Sequence, residues 1–162
     1  MQIVKDPVNK KIFITREFDA PQDKVWEAWT SSEILDQWWA PKPWKARTKA
    51  MEFSDGGKWI YAMVGPDGTE QWCRVDFRKI SPLKSFTAVD VFCDEKGNTN
   101  TDLPVMEWKC EFNKTNSGTT VKIEISFSSE ADLNKIVEMG FEEGFTSALT
   151  NLDELFEVLV KN

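Results

Sequence analysis

From about residue 45 to residue 127 the apolar residues of this chain recur with a period of two, and each interruption is a short, turn-forming segment. The alternating stretches run 45 to 53, 57 to 64, 70 to 79, 84 to 93, 103 to 113 and 118 to 127, separated by SDGG, GPDGT, SPLK, DEKGNTNTD and NSG. Gly, Pro, Asn, Asp and Ser in such clusters supply the backbone angles that reverse a strand. Separators this short join antiparallel neighbours, because a parallel crossover needs a dozen or more residues. A six-stranded antiparallel meander follows. Residues 10 to 18, KKIFITREF, alternate as well, with Ile12, Ile14 and Phe18 on one face, and predict a seventh strand in the same sheet.

Helical signals flank the meander. After the first strand, Asp19 with Gln22 three residues on has capping-box spacing, and Pro21 suits a first turn, so a short helix should carry Val25, Trp26 and Trp29. Thr30 and Glu33 repeat the spacing and predict a second short helix through Ile34, Leu35, Trp38 and Trp39, stopped by Pro41 and Pro43. From about Glu130 apolar residues recur at i, i+3 and i+4 through Leu159, which predicts one long C-terminal helix with its apolar stripe on the sheet. The expected architecture is α+β: a curved antiparallel seven-stranded sheet, two short helices after its first strand, and a long helix laid across it. The length of 162 residues, without internal repeat or linker, fits one domain over 1 to 162.

Composition narrows function by exclusion. The net charge of −7 and the lack of a dense Lys/Arg cluster argue against nucleic acid as a partner. No apolar run is long enough for a signal segment or a membrane span, and the three separated cysteines, Cys73, Cys93 and Cys110, outline neither a disulfide framework nor a zinc site. A cytoplasmic location and no membrane partner are expected. There is no histidine, which removes the usual activated-nucleophile triads and the commonest metal ligand. No metal, no cofactor and no catalytic set is therefore expected. Arg74 and Asp76 share a strand face and Asp90 and Glu107 are further strand carboxylates, but acidic residues on antiparallel strands ordinarily face solvent.

Aromatic residues point toward binding. Five of the eight tryptophans fall between Trp26 and Trp44, and each ring can bury roughly 150 to 250 Å². Two short helices cannot hide so many against each other. Trp26 and Trp29 are expected in the core, whereas Trp38 and Trp39, adjacent and followed by a Pro-rich loop, are expected at the rim of a cavity. Trp59, Tyr61 and Met63 share one strand face, and Met106 and Trp108 another; both faces either fill a core or line a pocket. In the C-terminal helix Gly140, Gly144 and Ala148 lie four apart. A helix-interior glycine costs about 1 kcal/mol relative to alanine. The stack of small residues serves either close helix-sheet packing or the volume of a ligand pocket walled by Phe141 and Phe145.

Several segments in succession carry a family resemblance: FDAPQDKVWEAWTSSEILDQWWAP, SDGGKWIYAMVGPDGT, FRKISPLKSF, GTTVKIEISF and MGFEEGFTSALTNLDEL. They resemble the motifs of the family similar to the C-terminal domain of the heat-shock-protein-90 ATPase activator, within the START-like (SRPBCC) superfamily. The resemblance implies a helix-grip fold, with the sheet wrapped around the long helix. The superfamily includes lipid and hormone carriers, polyketide cyclases and ring-hydroxylase subunits, so it implies a cavity and no particular reaction. Two departures bear on the cavity: MGF stands where many relatives have Gly-Trp, and Val75 stands where glycine is frequent. Three functions stay open. The first is a module that binds a small apolar or amphipathic molecule; the second is an interaction protein that assists a chaperone or a stress response; the third is a cyclase-like or hydrolytic enzyme. Either a monomer or a homodimer is compatible with the sequence.

Overall fold

The computed structural model describes residues 1–159. Eight strands form one antiparallel sheet: β1 (Gln2–Asp6), β2 (Lys11–Phe18), β3 (Lys45–Met51), β4 (Lys58–Val64), β5 (Glu70–Ser81), β6 (Ser85–Cys93), β7 (Met106–Lys114) and β8 (Thr119–Ser126). Their spatial order is β1-β2-β8-β7-β6-β5-β4-β3. Between β2 and β3 come two helices, α1 (Gln22–Thr30) and α2 (Ser32–Trp38); after β8 come α3 (Glu130–Glu138) and α4 (Phe141–Leu159). The chain thus leaves β2, crosses by way of α1 and α2 to the far edge, and meanders back until β8 pairs with β2. An open antiparallel sheet with four helices is consistent with the helix-grip fold.

The expected seven strands become eight. β1 pairs with β2 from Gln2 opposite Thr15 to Asp6 opposite Lys11. Its exposed and half-buried residues give it no apolar alternation, so backbone pairing, with Ile3 packed against the core, holds it at the edge.

The long C-terminal helix is also corrected, to two helices. α3 begins at an N-cap serine, where Ser129 Oγ accepts from the Asp132 N–H at 3.1 Å, and it ends at Met139. Gly140 then adopts φ +87°, a left-handed conformation that ends helices and favours glycine, and its N–H donates to the Val137 carbonyl at 3.0 Å. Gly140 is therefore the break between α3 and α4, and only Gly144 lies inside a helix.

The N-cap positions after β2 are Pro21 and Ser31 rather than the expected Asp19 and Thr30, each without a side-chain cap bond. Gln22 instead donates through Nε2 to the carbonyls of Leu83 and Phe112, and Thr30 Oγ1 donates back to the Trp26 carbonyl. These bonds compete with capping for the same short polar groups.

One face of the sheet carries the core. Ile12, Ile14, Val121, Ile123, Ile125, Trp108, Cys110 and Phe112 are buried on it, as their alternation requires. α4 contributes Phe145, Ala148, Leu149, Leu152 and Phe156; the Phe156 ring lies 5.7 Å from Phe18 of β2, and Phe145 lies 5.7 Å from Trp108 of β7. Trp29 of α1 is buried, 5.0 Å from the Trp38 ring, and half-buried Trp26 meets Phe112 at 5.1 Å. Asn151 of α4 is buried and donates to the Ala40 carbonyl at 2.9 Å, which ties α4 to the end of α2.

Candidate functional site

A cavity of about 310 Å³ opens where the inner face of β4 to β7 meets the α3–α4 junction and the loop after α2. That volume is at the lower end of the roughly 300 to 1,000 Å³ typical of small-molecule sites. Its floor is sheet. Tyr61 and Met63 of β4 lie in register with Cys73 and Gln71 of β5, and Asp90 and Phe92 of β6 continue toward Met106 and Trp108 of β7. Its roof is helical, with Ile136 and Met139 at the end of α3, then Gly140, and Phe141, Gly144 and Phe145 in the first turns of α4. Trp39, Pro41 and Trp44 close one side.

The left-handed turn at Gly140 redirects the chain so that both helices border the cavity. Phe141 and Phe145 stack with centroids 5.5 Å apart. At Gly144 an added Cβ would meet only Pro41 Cγ, at 3.8 Å, so the absent side chain leaves room rather than relieving a backbone clash. Trp39 follows α2 as its C-cap; its indole Nε1 donates to Tyr61 Oη at 2.9 Å, and its ring lies 6.1 Å from Trp108.

Of the residues expected at the site, Trp39, Tyr61, Met63, Met106, Trp108, Gly140, Phe141, Gly144 and Phe145 border this cavity. Trp38 and Trp59 do not. Trp38 is 1% exposed, packs on Trp29, and donates through Nε1 to the Ala28 carbonyl at 2.9 Å, so it belongs to the core between α1 and α2. The rim position falls to Trp39 alone of the adjacent pair, because successive helical residues project in different directions. Trp59 is buried beside the cavity, stacked on Tyr61 at 4.1 Å, with its Nε1 donating to Thr48 Oγ1 at 3.0 Å. It borders a smaller void of about 30 Å³, which Trp39, Asp90 and Trp108 also border.

Asp90 is the principal residue that sequence reasoning missed. It is buried at 7% exposure on the inner face of β6, between Val75 of β5 and Met106 of β7, where a carboxylate on an antiparallel strand was expected to meet solvent. Phe86, Ala88, Asp90 and Phe92 alternate on that inner face, but Thr87, Val89 and Val91 make the opposite face nearly as apolar, so the strand's own sequence held no deciding signal. Burial pushes the Asp90 carboxyl up to about 7, and the charge of Asp76 adds to the effect. Arg74 and Asp76 pair with each other through Nε and Oδ1 at 3.0 Å, and Glu107 is exposed.

The other titratable groups of the cavity are quiet. Burial raises the Tyr61 hydroxyl well above its usual range, and it raises the Cys73 thiol too, so neither ionises near neutral pH. A neutral buried thiol is not an activated nucleophile. Among the described residues no group of three His, Cys, Asp or Glu side chains is placed to hold a metal ion, and no helix is long and apolar enough to cross a membrane. The Trp108 indole N–H is buried without a hydrogen-bond partner among the described residues.

Comparison with known proteins agrees with this architecture. A solved structure of protein Ms6760 from Mycobacterium smegmatis is 30% identical, covers 96% of this chain and 95% of its own, and superposes with a TM-score of 0.88. A protein from Arthrobacter aurescens is 34% identical over 94% of this chain and 88% of its own, also at TM-score 0.88. One from Staphylococcus epidermidis is 27% identical over 100% and 97% of the two chains, at TM-score 0.85. No curated protein matches the chain. The family model described as Activator of Hsp90 ATPase homolog 1-like protein matches residues 19–157, from the start of α1 to the last turns of α4 and so across every element that borders the cavity, and the chain belongs to that family.

Proposed function

We propose that this protein binds a small apolar or amphipathic molecule in the cavity between the sheet and the α3–α4 junction. The observation that carries the reading is the cavity of about 310 Å³ walled by aromatic and thioether side chains, with the Gly144 position left open toward it. Apolar walls with a few convergent polar groups are the usual composition of a small-molecule site. Tyr61, Gln71 and Asp90 are the polar groups here. A catalytic reading has less support, since a single carboxyl beside a neutral tyrosine and a neutral thiol lacks the paired acid and base that cyclisation or hydrolysis needs.

The test is native mass spectrometry of the purified protein, with identification of any molecule released on denaturation and its return followed by tryptophan fluorescence. A stoichiometric small molecule that perturbs the fluorescence supports the reading. Gly144→Leu, which projects a branched side chain into the cavity, is then expected to abolish binding while the fold persists. Unaltered binding by that variant counts against the cavity as the site.

A further inference from the structure

The cavity encloses one acidic group with no counterpart. Among the described residues the Asp90 side chain makes no hydrogen bond or ion pair, and no Lys or Arg lines the cavity. Burying a carboxyl without a partner is unfavourable, because nothing replaces the water it gives up. Another inward-facing charge is treated differently. Arg16, on the inner face of β2, pairs with Asp153 of α4 and lies 4.9 Å over the Phe18 ring. Asp90 has the desolvation without the pairing.

The surroundings favour positive charge. Trp39, Tyr61 and Trp108 all border the cavity with Asp90, and the Trp39 ring lies 6.1 Å from Trp108 and is joined to Tyr61 by its N–H. Aromatic faces attract cations, more strongly where water is excluded. The net charge of −7 favours cations at longer range. Resting on the reading of this cavity as a ligand site, we propose that the ligand carries a cationic nitrogen, a protonated amine or a quaternary ammonium, which pairs with the Asp90 carboxylate among these rings while an apolar body fills the remaining space. An alcohol head is the competing chemistry, since it would donate to Asp90 and accept from the unpartnered Trp108 N–H. Only the cation supplies the missing counter-charge.

The pairing makes affinity depend on pH. Tyr61 of β4 and Cys73 of β5 border the cavity with Asp90 and stay neutral, as does Cys93 on β6 itself; Asp76 of β5 adds negative charge. The cavity-lining residues of β7, α3, α4 and the loop after α2 carry no acidic or basic group. A permanently charged ligand should therefore bind more tightly as pH rises through the Asp90 titration.

Isothermal titration with octylamine, octanol, octanoate and octyltrimethylammonium tests the proposal on wild type, Asp90→Asn and a surface control, Glu107→Gln. The expected result is octylamine binding about tenfold or more tighter than octanol, with the preference lost in Asp90→Asn and kept in Glu107→Gln. Octyltrimethylammonium should gain roughly tenfold or more between about pH 5.5 and 8. Octanol or octanoate binding as tightly as octylamine, an unchanged preference in Asp90→Asn, or a flat pH response overturns the cationic ligand and leaves the cavity reading intact. Failure of all four probes to bind removes the cavity reading, and this inference with it.

Discussion

The indole N–H of Trp39 donates to the Tyr61 hydroxyl across 2.9 Å, joining the loop after α2 to the fourth strand at the wall of the cavity. Tyr61 is 2% exposed, so its hydroxyl has little access to water. Tyr61→Phe keeps the ring stack on Trp59 and removes the acceptor. A donor left without its partner costs about 1 to 2 kcal/mol. The expected outcome is a Tm lower by roughly 2 to 8 °C with a changed tryptophan emission maximum, read by calorimetry and fluorescence.

The two cavity glycines should respond to alanine with opposite sign. Gly140 sits at φ +87°, where a Cβ is strained whatever the space, so Gly140→Ala should destabilise by about 1 kcal/mol. Gly144 is helical and a Cβ there meets only ordinary contact, so Gly144→Ala should stabilise by up to about 1 kcal/mol. Urea unfolding of both variants decides it. A shared sign would mean that the helix break is not where the backbone angle places it.

Asp90 ties stability to pH. Its carboxyl is raised from 3.8 to about 7 in the folded protein, so between those values the native state holds a proton that the unfolded chain has released. Stability therefore falls as pH rises through that window, by an amount on the order of a few kcal/mol. Asp90→Asn lacks this proton linkage. The variant should be more stable than wild type at pH 8, by several degrees in Tm, with the advantage shrinking toward pH 4. Melting curves at those two pH values check it, and an advantage independent of pH would contradict a buried, titrating carboxyl.

Asn151 bridges from α4 to the end of α2, where its Nδ2 reaches the carbonyls of Ala40 at 2.9 Å and Trp38 at 3.4 Å. Asn151→Leu leaves those buried carbonyls without a donor. The expected cost is about 1 to 3 kcal/mol. Hydrogen exchange should also rise at Trp39, because the wall of the cavity is anchored through this contact.

Strand existence and strand faces were legible because alternation is local. Val121, Ile123 and Ile125 point to one side whatever the rest of the chain does, and so do Met106, Trp108 and Cys110. Tyr61, Met63, Met106 and Trp108 of the cavity floor could be named for the same reason, whereas Gln71, Cys73, Asp90 and Phe92 could not. β6 shows where this stops: Thr87, Val89 and Val91 are nearly as apolar as Phe86, Ala88 and Phe92, so periodicity alone does not choose the inner face. Pairing with Val75 and Met106 chooses it, and that choice turns Asp90 inward.

The sequence by itself determined the meander, the helical tail and the family, because turn residues, period and motifs are properties of neighbouring positions. Only the tertiary structure decided that β1 adds to the edge through backbone bonds and that Gly140 is a break rather than a helix-interior glycine. It also decided that Trp38 is core while Trp39 meets the cavity, and that a lone carboxyl lies within apolar walls. The Trp39 and Asp90 placements depend on contacts between residues far apart in the chain, whose free energy no local pattern records. β1, by contrast, lacks the alternation that marks a strand, and the Gly140 break is a backbone angle that the apolar stripe runs straight through.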